Sequence, residues 1–485
     1  MKKIRSVVTA SMGAVVFGAL SVGALVAACW SYTEPEDATT PDEESENLQG
    51  SAPAGSGTSQ VGTPGGAVGA SGNTEVVAPN LPIGSAGASG ASPSGTGGPS
   101  GNPESNNPNT PIAGAAGSSG AMMGGMMGSA GAAGQPPPPA AVVTPCDVLA
   151  AGGNPCVAAH STTRVVFGGY TGPLYQVCRG ASAPGPNSCP GGMTRDIGSV
   201  EGGFADAAAQ DAFCNGGNCT ISLIYDQTAN NNDLKAAPAG GAKATPDNPA
   251  VATDLKTTLA GHAVYGVFIK TGMGYRAGCT GCGTTRPVGT AVGDQPETEY
   301  MVTSANGLVN GCCFDYGNGE TDSRDDGNGT MEAVYFGNGV VWGTGNPGGH
   351  NNGPWVMADL ENGLYAGWEN NQDQGISTNT PFRLPFITGV VVGDVAAQNG
   401  GRGRFALYGG DATNGTLRTL YDGIRPAKPG YVPMQKQGSI ILGIGGDNSA
   451  SGAGQWFEGV MASGAATLAT VNALQANIVA AGYGK

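Results

Sequence analysis

Ten of the eleven cysteines of this 485-residue chain lie between Cys146 and Cys313, as five close neighbours: 146 and 156, 178 and 189, 214 and 219, 279 and 282, 312 and 313. An even number of cysteines in an exported chain reads as a disulfide framework, here one that staples short, sequence-local segments. Spacing does not prove connectivity; nearest-neighbour pairing is the simplest hypothesis. For Cys279-x-x-Cys282 the competing reading is half a zinc site. A second such pair and nearby histidines are missing, and the chain has three histidines in all, so no metal centre and no cofactor are expected. The adjacent Cys312 and Cys313 are the unusual pair. A bridge between neighbours would close almost no loop and add little stability. It would also sit near the short limit of disulfide Cα separation. A costly feature that stabilises little points to a surface or a site, where two sulfurs form a rigid apolar platform. Pairing elsewhere, or two buried thiols, stays open at this point.

Export is read from the N-terminus. Lys2, Lys3 and Arg5 precede an apolar run over residues 7–28, which ends in small residues before Cys29. That is the cleavage pattern of a bacterial lipoprotein, with Cys29 as the acylated residue. The alternative is an ordinary secretory signal cut near Ala28. Trp30 after the cysteine favours the outer membrane. The chain is therefore expected to be anchored at the outer membrane or cell surface, or released from it. No other stretch is long and apolar enough to span a bilayer.

Residues 29–144 carry an acidic patch and then Gly/Ala/Ser/Pro-rich sequence, including Pro136 to Pro139. Such a segment buries too little apolar surface to offset its chain entropy, and a disordered tether is expected. As a flexible coil it would reach on the order of 60 Å. Three domains follow: a signal over 1–28, the tether over 29–144, and a folded domain over 145–485. Net charge is −15, which argues against nucleic acid or an anionic lipid surface as partner. With few charges and 87 glycines, the composition suits an extracellular binder of neutral polar ligands; a monomer is expected.

Within the folded part the pattern is short and strand-like, at 163–167, 220–225, 263–269, 331–336, 354–359, 389–392, 404–408 and 439–444, with Gly, Asn, Asp and Pro between the runs. Helical spacing is best over 468–481. Many strands without βαβ alternation predict an all-β fold, a β-sandwich or jelly roll of concanavalin-like type.

Two acidic positions stand out. Strand alternation predicts that Asp359 and Glu361, at the end of an apolar run, face the same way, and paired carboxylates on one face suggest a site. Asp447 follows the run 440–444 and two glycines, where backbone can approach a ligand closely. A solvent-facing strand edge and an ordinary turn are the bland alternatives.

PCDVLAAGGNPCVAAHSTTR, FADAAAQDAFC, ISLIYDQTANNNDL, GCCFDYGN, MEAVYFGN, GPWVMADLENGL and ILGIGGDNS together resemble glycoside hydrolase family 54, the α-L-arabinofuranosidases, across nearly all of 145–483. The resemblance implies a β-sandwich. It implies Glu361 as nucleophile and Asp447 as general acid/base. Cys312 and Cys313 would be a vicinal disulfide against the sugar, and Asp315, Asp359, Asn362 and the Gly446 backbone its polar contacts. Met331 and Trp342 would form apolar walls. Cys146–Cys156 and Cys214–Cys219 match family disulfides, while Cys178–Cys189 and Cys279–Cys282 look like extra ones. Gly363 stands where fungal members tend to carry asparagine. The β-trefoil arabinose-binding module that follows in fungal members has no counterpart before Lys485.

The activity implied is a retaining, exo-acting α-L-arabinofuranosidase releasing terminal arabinofuranose from hemicellulose or pectin side chains. An arabinose-containing polysaccharide or oligosaccharide would be the partner. Ionised Glu361 would attack the anomeric carbon, and Asp447, kept protonated, would protonate the leaving oxygen. A β-xylosidase and a surface sugar-binding lectin are the alternatives.

Overall fold

The computed structural model describes residues 142–280, 282, 286–339, 353–367 and 379–485. Cys29, Trp342 and the signal and tether up to residue 141 lie outside the described residues.

Two antiparallel sheets face each other. The first runs Cys156–Ser161, Ala453–Ser463, Glu297–Val309, Ile387–Asp394, Arg404–Asp411, Arg418–Gly423, with Val267–Ile269 as a seventh strand beside Ala453–Ser463. The second has ten strands: Leu364–Tyr365, Trp355–Asp359, Glu332–Gly337, Asp315–Gly319, Ser439–Leu442, Tyr275–Ala277, Leu234–Ala236, Cys219–Ile224, Tyr175–Arg179, Met193–Ile197. The all-β sandwich expected from the strand pattern is the observed architecture.

Alternation along the second sheet explains how it can be buried on both sides. Tyr316, Val334, Phe336, Val356, Ala358, Ile440 and Leu442 enter the core between the sheets, with Tyr300, Val390, Val392 and Leu407 from the first. The intervening Tyr335, Trp355 and Met357 gather elsewhere, around Cys313, and Ala333 and Ile441 gather with Met331 and Ile444. Each large apolar side chain removed from water stabilises the fold by about 1.5–3 kcal/mol. The outer face is therefore a second, smaller apolar floor, and the candidate site is built on it.

Helices cover the ends. Pro145–Ala151 begins with a capping box, Thr144 Oγ1 accepting from Asp147 N while Asp147 accepts from Thr144 N. The Cys146–Cys156 disulfide ties it to the first strand, and Cys214–Cys219 ties Ala207–Cys214 to the strand after it. The structure also pairs Cys178–Cys189, Cys279–Cys282 and Cys312–Cys313. Leu468–Ala480 packs Val471, Leu474 and Ile478 onto the core.

Two strand expectations are corrected. Residues 163–167 form no strand; Arg164 makes an isolated bridge to Phe204, and its guanidinium is committed to Glu458 at 2.6 Å. The run 263–269 is divided at Gly266, where a Cβ would collide with Phe457 and Leu255. Its halves, His262–Tyr265 and Val267–Ile269, join different sheets.

Candidate active site

Two turns and a disulfide loop meet over the outer floor. The first turn ends the strand Trp355–Asp359. Glu361 and Asn362 have φ of 59° and 55°, a left-handed pair that side chains adopt reluctantly, at about 1–3 kcal/mol each. Local bonds hold it: Glu361 N donates to Asp359 Oδ1 at 3.1 Å, and Tyr431 Oη donates to the Glu361 carbonyl at 2.7 Å. Asp359 and Glu361 do line the same cleft, but not by strand alternation. The strand has ended at Asp359, and the turn brings Glu361 back beside it.

The second turn follows Ser439–Leu442. Asp447 Oδ1 accepts from Ser449 N at 2.9 Å, and Asn448 Nδ2 reaches the Pro238 carbonyl at 2.6 Å. Ser449 and Ser451 then bind the disulfide loop. Cys313 N donates to Ser449 O at 3.2 Å, Ser451 N to Cys312 O at 2.8 Å, and Ser449 Oγ touches Cys312 Sγ at 3.2 Å. The position of the two sulfurs is thus fixed from the Asp447 turn. The peptide between Cys312 and Cys313 is cis.

The cleft is lined by Cys312, Cys313, Asp325, Asp359, Glu361, Asn362, Gly363, Gly445, Gly446, Asp447 and Ser449, around a cavity of about 120 Å³. That is below the roughly 300–1,000 Å³ of sites for drug-sized ligands and suits one small polar ring. Cys313 Sγ lies 3.4 Å from Asp359 Oδ2, so the apolar sulfurs and the carboxylates border one another. Cys312, Cys313 and Asp359 offer donor atoms within 4.8 Å of one another. The sulfurs are bonded to each other, however, and are not the thiolates a soft metal needs.

Of the residues singled out by sequence, Glu361, Asp447, Cys312, Cys313, Asp359, Asn362 and Gly446 converge on this cleft. Asp315 and Met331 lie behind it. Asp315 is fully buried on the strand neighbouring Tyr335, with its carboxyl in hydrogen-bonding reach of Asp359. Met331 is fully buried in the cluster with Ile441 and Ile444, its Sδ about 3.0 Å from where a Gly446 Cβ would stand. It packs beneath the Gly446 backbone, behind the residues that line the cleft. Trp342 lies outside the described residues.

Sequence reasoning missed Glu320, Asp325, Arg276 and Ser449. Arg276 is fully buried; its guanidinium donates to the carbonyl oxygens of Glu320 and Gly446, and of Gly445 at 3.2 Å. It clamps the second turn from below. Glu320 packs against Gly446 so closely that a Cβ there would overlap its carboxylate. Neither residue stands in a recognisable pattern, so only tertiary placement reveals them.

Acidic groups dominate the electrostatics. Burial first, and then the charges of Glu320, Asp359, Asp325 and Asp447, push the Glu361 carboxyl far above the usual carboxylate range. Burial raises Asp359 to about 7, against the hydrogen bond from Glu361 N. Asp315 goes well up, through burial and then Asp359. Arg276 falls to about 10 through burial, although Glu320 and Asp447 oppose the change. Closely packed carboxyls in a poorly solvated cleft retain protons.

Chemically, the cleft offers two carboxyls from independent turns, a rigid apolar face and several polar contacts around a small volume. The family profile described as "Alpha-L-arabinofuranosidase B, catalytic" matches residues 145–484. A probable α-L-arabinofuranosidase B of Aspergillus fumigatus is 48% identical over 347 residues, covering 70% of this chain and 63% of that protein. An arabinofuranosidase/β-xylosidase of Trichoderma koningii is 48% identical over 343 residues, with coverage of 70% and 63%. The chain thus spans about 63% of the length of these curated relatives. A crystal structure of an arabinofuranosidase complexed with arabinofuranosyl-α-1,2-xylobiose superposes with a TM-score of 0.62 at 42% identity, over 70% of this chain and 66% of that one. A GH54 α-L-arabinofuranosidase soaked with a cyclic sulfate inhibitor matches with the same TM-score of 0.62. Through residues 145–484, this chain belongs to the α-L-arabinofuranosidase B family, glycoside hydrolase family 54.

Proposed function

We propose that the protein is a retaining, exo-acting α-L-arabinofuranosidase. The observation that carries this reading is the meeting of Glu361 and Asp447, from separate turns, in one small cleft bordered by the Cys312–Cys313 sulfurs. Glu361 is the nucleophile and attacks the anomeric carbon. Asp447 protonates the departing oxygen, and a covalent arabinosyl-enzyme forms. Asp447 then takes a proton from the water that releases arabinose. The sulfurs provide a low-entropy apolar face for the furanose ring. Asp359, Asn362 and the Gly446 backbone bind its hydroxyls, and Asp315 acts through Asp359.

The partner is an arabinofuranosyl oligosaccharide or polysaccharide. The test is hydrolysis of p-nitrophenyl α-L-arabinofuranoside by the wild type and by Glu361→Gln. Loss of release in the variant supports the reading; a folded, oxidised wild type without activity overturns it. A second activity on β-xylosides is favoured by one relative's double name, arabinofuranosidase/β-xylosidase, and p-nitrophenyl β-xyloside tests it.

Export, the 29–144 tether and acylation of Cys29 at a bacterial outer membrane complete the proposal. Support comes from the basic start, the apolar run and the small residues before Cys29. Labelling with an alkynyl fatty acid in a bacterial host should mark the wild type and not Cys29→Ala. Equal labelling, or none in either, would discard the anchor.

A further inference from the structure

Glu320 immediately follows the strand Asp315–Gly319 and is fully buried. Its Oε1 lies 2.7 Å from the Thr330 hydroxyl, and that hydroxyl lies 2.7 Å from the Gly327 carbonyl oxygen. A hydroxyl has one hydrogen to give. The Gly327 oxygen and an ionised Glu320 would compete for that one hydrogen, and a proton on Glu320 removes the competition. Each contact has its own hydrogen when the Glu320 carboxyl carries a proton. Its Oε2 is buried against the Gly446 backbone, and its carboxyl interacts with that of Glu361.

We infer that Glu320 is a positioning residue held in its neutral form beside Glu361, so that the negative charge of the pair rests on Glu361. This rests on the reading of Glu361 as nucleophile. Two carboxylates in contact in a buried site are costly, and one of them keeps its proton. The groups facing Glu320 are Arg276 from the strand Tyr275–Ala277, and Asp359 and Glu361 from the first turn. Asp315 faces it from its own strand. Arg276 directs its hydrogen bonds to carbonyl oxygens, including Glu320's own, and not to the carboxylate. Burial outweighs the Thr330 contact, Arg276 and the interaction with Glu361, and raises Glu320 to about 7. Glu320 is the largest charge opposing ionisation of Glu361. Once neutral, it no longer opposes, and the largest charge set against the anion that attack requires is removed. A carboxylic acid kept neutral to tune a neighbouring reacting group is a known use of burial.

The test compares pH profiles of kcat/KM for the full chain and two variants. Glu320→Gln keeps a neutral donor of similar shape. It is expected to remain within about tenfold of wild type, while Glu320→Leu loses about 100-fold, the scale of a misplaced reacting group. Above about 7 the wild type should lose activity as Glu320 ionises, and Glu320→Gln should carry its activity to higher pH. Inactivity of a folded Glu320→Gln, or identical profiles in all three proteins, would overturn the inference. Infrared difference spectra with isotope-labelled glutamate give a readout independent of turnover. A protonated carboxyl band present below 7 and missing in Glu320→Gln is expected. Its absence from the wild type overturns the inference even in an active enzyme. Its presence in an inactive one upholds the proton on Glu320 and removes the nucleophile reading alone.

Discussion

Asp359 Oδ1 accepts the backbone N–H of Glu361 at 3.1 Å, so the last residue of a strand fixes the turn that presents the proposed nucleophile. Asp359 thereby has two duties, the proposed contact to the sugar through one oxygen and support of a left-handed backbone through the other. Asp359→Ala removes both. kcat/KM should fall by about 100-fold or more, and the unfolding free energy by about 1–3 kcal/mol for the lost acceptor. Tyr431→Phe removes the 2.7 Å bond to the Glu361 carbonyl, together with the hydroxyl's interaction with Tyr365, and should cost about 1 kcal/mol. Thermal unfolding beside kinetics separates the two. Equal stability losses would mean that Asp359 does not hold the turn.

The two catalytic assignments have different chemical signatures. Asp447→Ala leaves the nucleophile in place. With an activated aryl arabinofuranoside it should form the arabinosyl-enzyme and stall, because no base activates water. A burst of aryl release and acceleration by azide are expected. Glu361→Ala should show no burst. Reversal of the two patterns would exchange the roles.

The disulfide prediction follows from place. Cys313 sits on the outer floor among Tyr335, Trp355 and Met357, and the two sulfurs border the cleft. The bridge closes almost no loop, so it constrains the unfolded chain little. Replacing both cysteines by serine should raise KM, or lower kcat/KM, by about tenfold or more, as loss of a packed apolar contact does. Tm should fall by only a few degrees. A large drop in Tm with unchanged KM would make the pair a structural staple.

What the sequence revealed and what it concealed have physical reasons. The second sheet was legible where strands carry an unbroken apolar run, as at 355–358 and 333–336. The long strand Glu297–Val309 was not, because its register carries Glu297 and Glu299. In the fold Glu297 meets Lys436 at 2.9 Å, and Asn318 N donates to Glu299 at 3.0 Å. Those partners are more than 15 residues away, and no local pattern announces them. Glu361 was found for partly the wrong reason, since alternation ends at Asp359 and a left-handed turn does the rest. Arg276 and Glu320 act through backbone carbonyls and a buried hydroxyl from distant segments. Ten strands of topology are needed before they stand beside Asp447 and Glu361.

Gly446 tests the close packing directly. A Cβ there would overlap the Glu320 carboxylate and press on Met331 Sδ. Gly446→Ala should displace Glu320 or the Asp447 turn, at about 1–3 kcal/mol for overpacking, with a loss of kcat exceeding the change in KM. Glu320→Ala in the same chain should recover part of the stability, since it removes the obstructing group. Additive effects of the two substitutions would show that they do not touch.

The clustered carboxyls also dictate how stability varies with pH. Burial raises Glu320 and Asp359 to about 7, and Asp315 is pushed up as well. A carboxyl whose value is higher in the folded state binds more protons there than in the unfolded chain. Its contribution is complete below the unfolded value, about 4, and disappears as pH rises through the folded value. Unfolding free energy should therefore decline between about 4 and 7. For Glu320 alone the rise from 4.5 to about 7 corresponds to about 3 kcal/mol across that interval. Glu320→Gln should flatten the decline by an amount of that order, and denaturant titrations at a series of pH values measure it. Stability that rises with pH over this interval, or a slope unchanged in the variant, would mean that Glu320 is ionised in the fold.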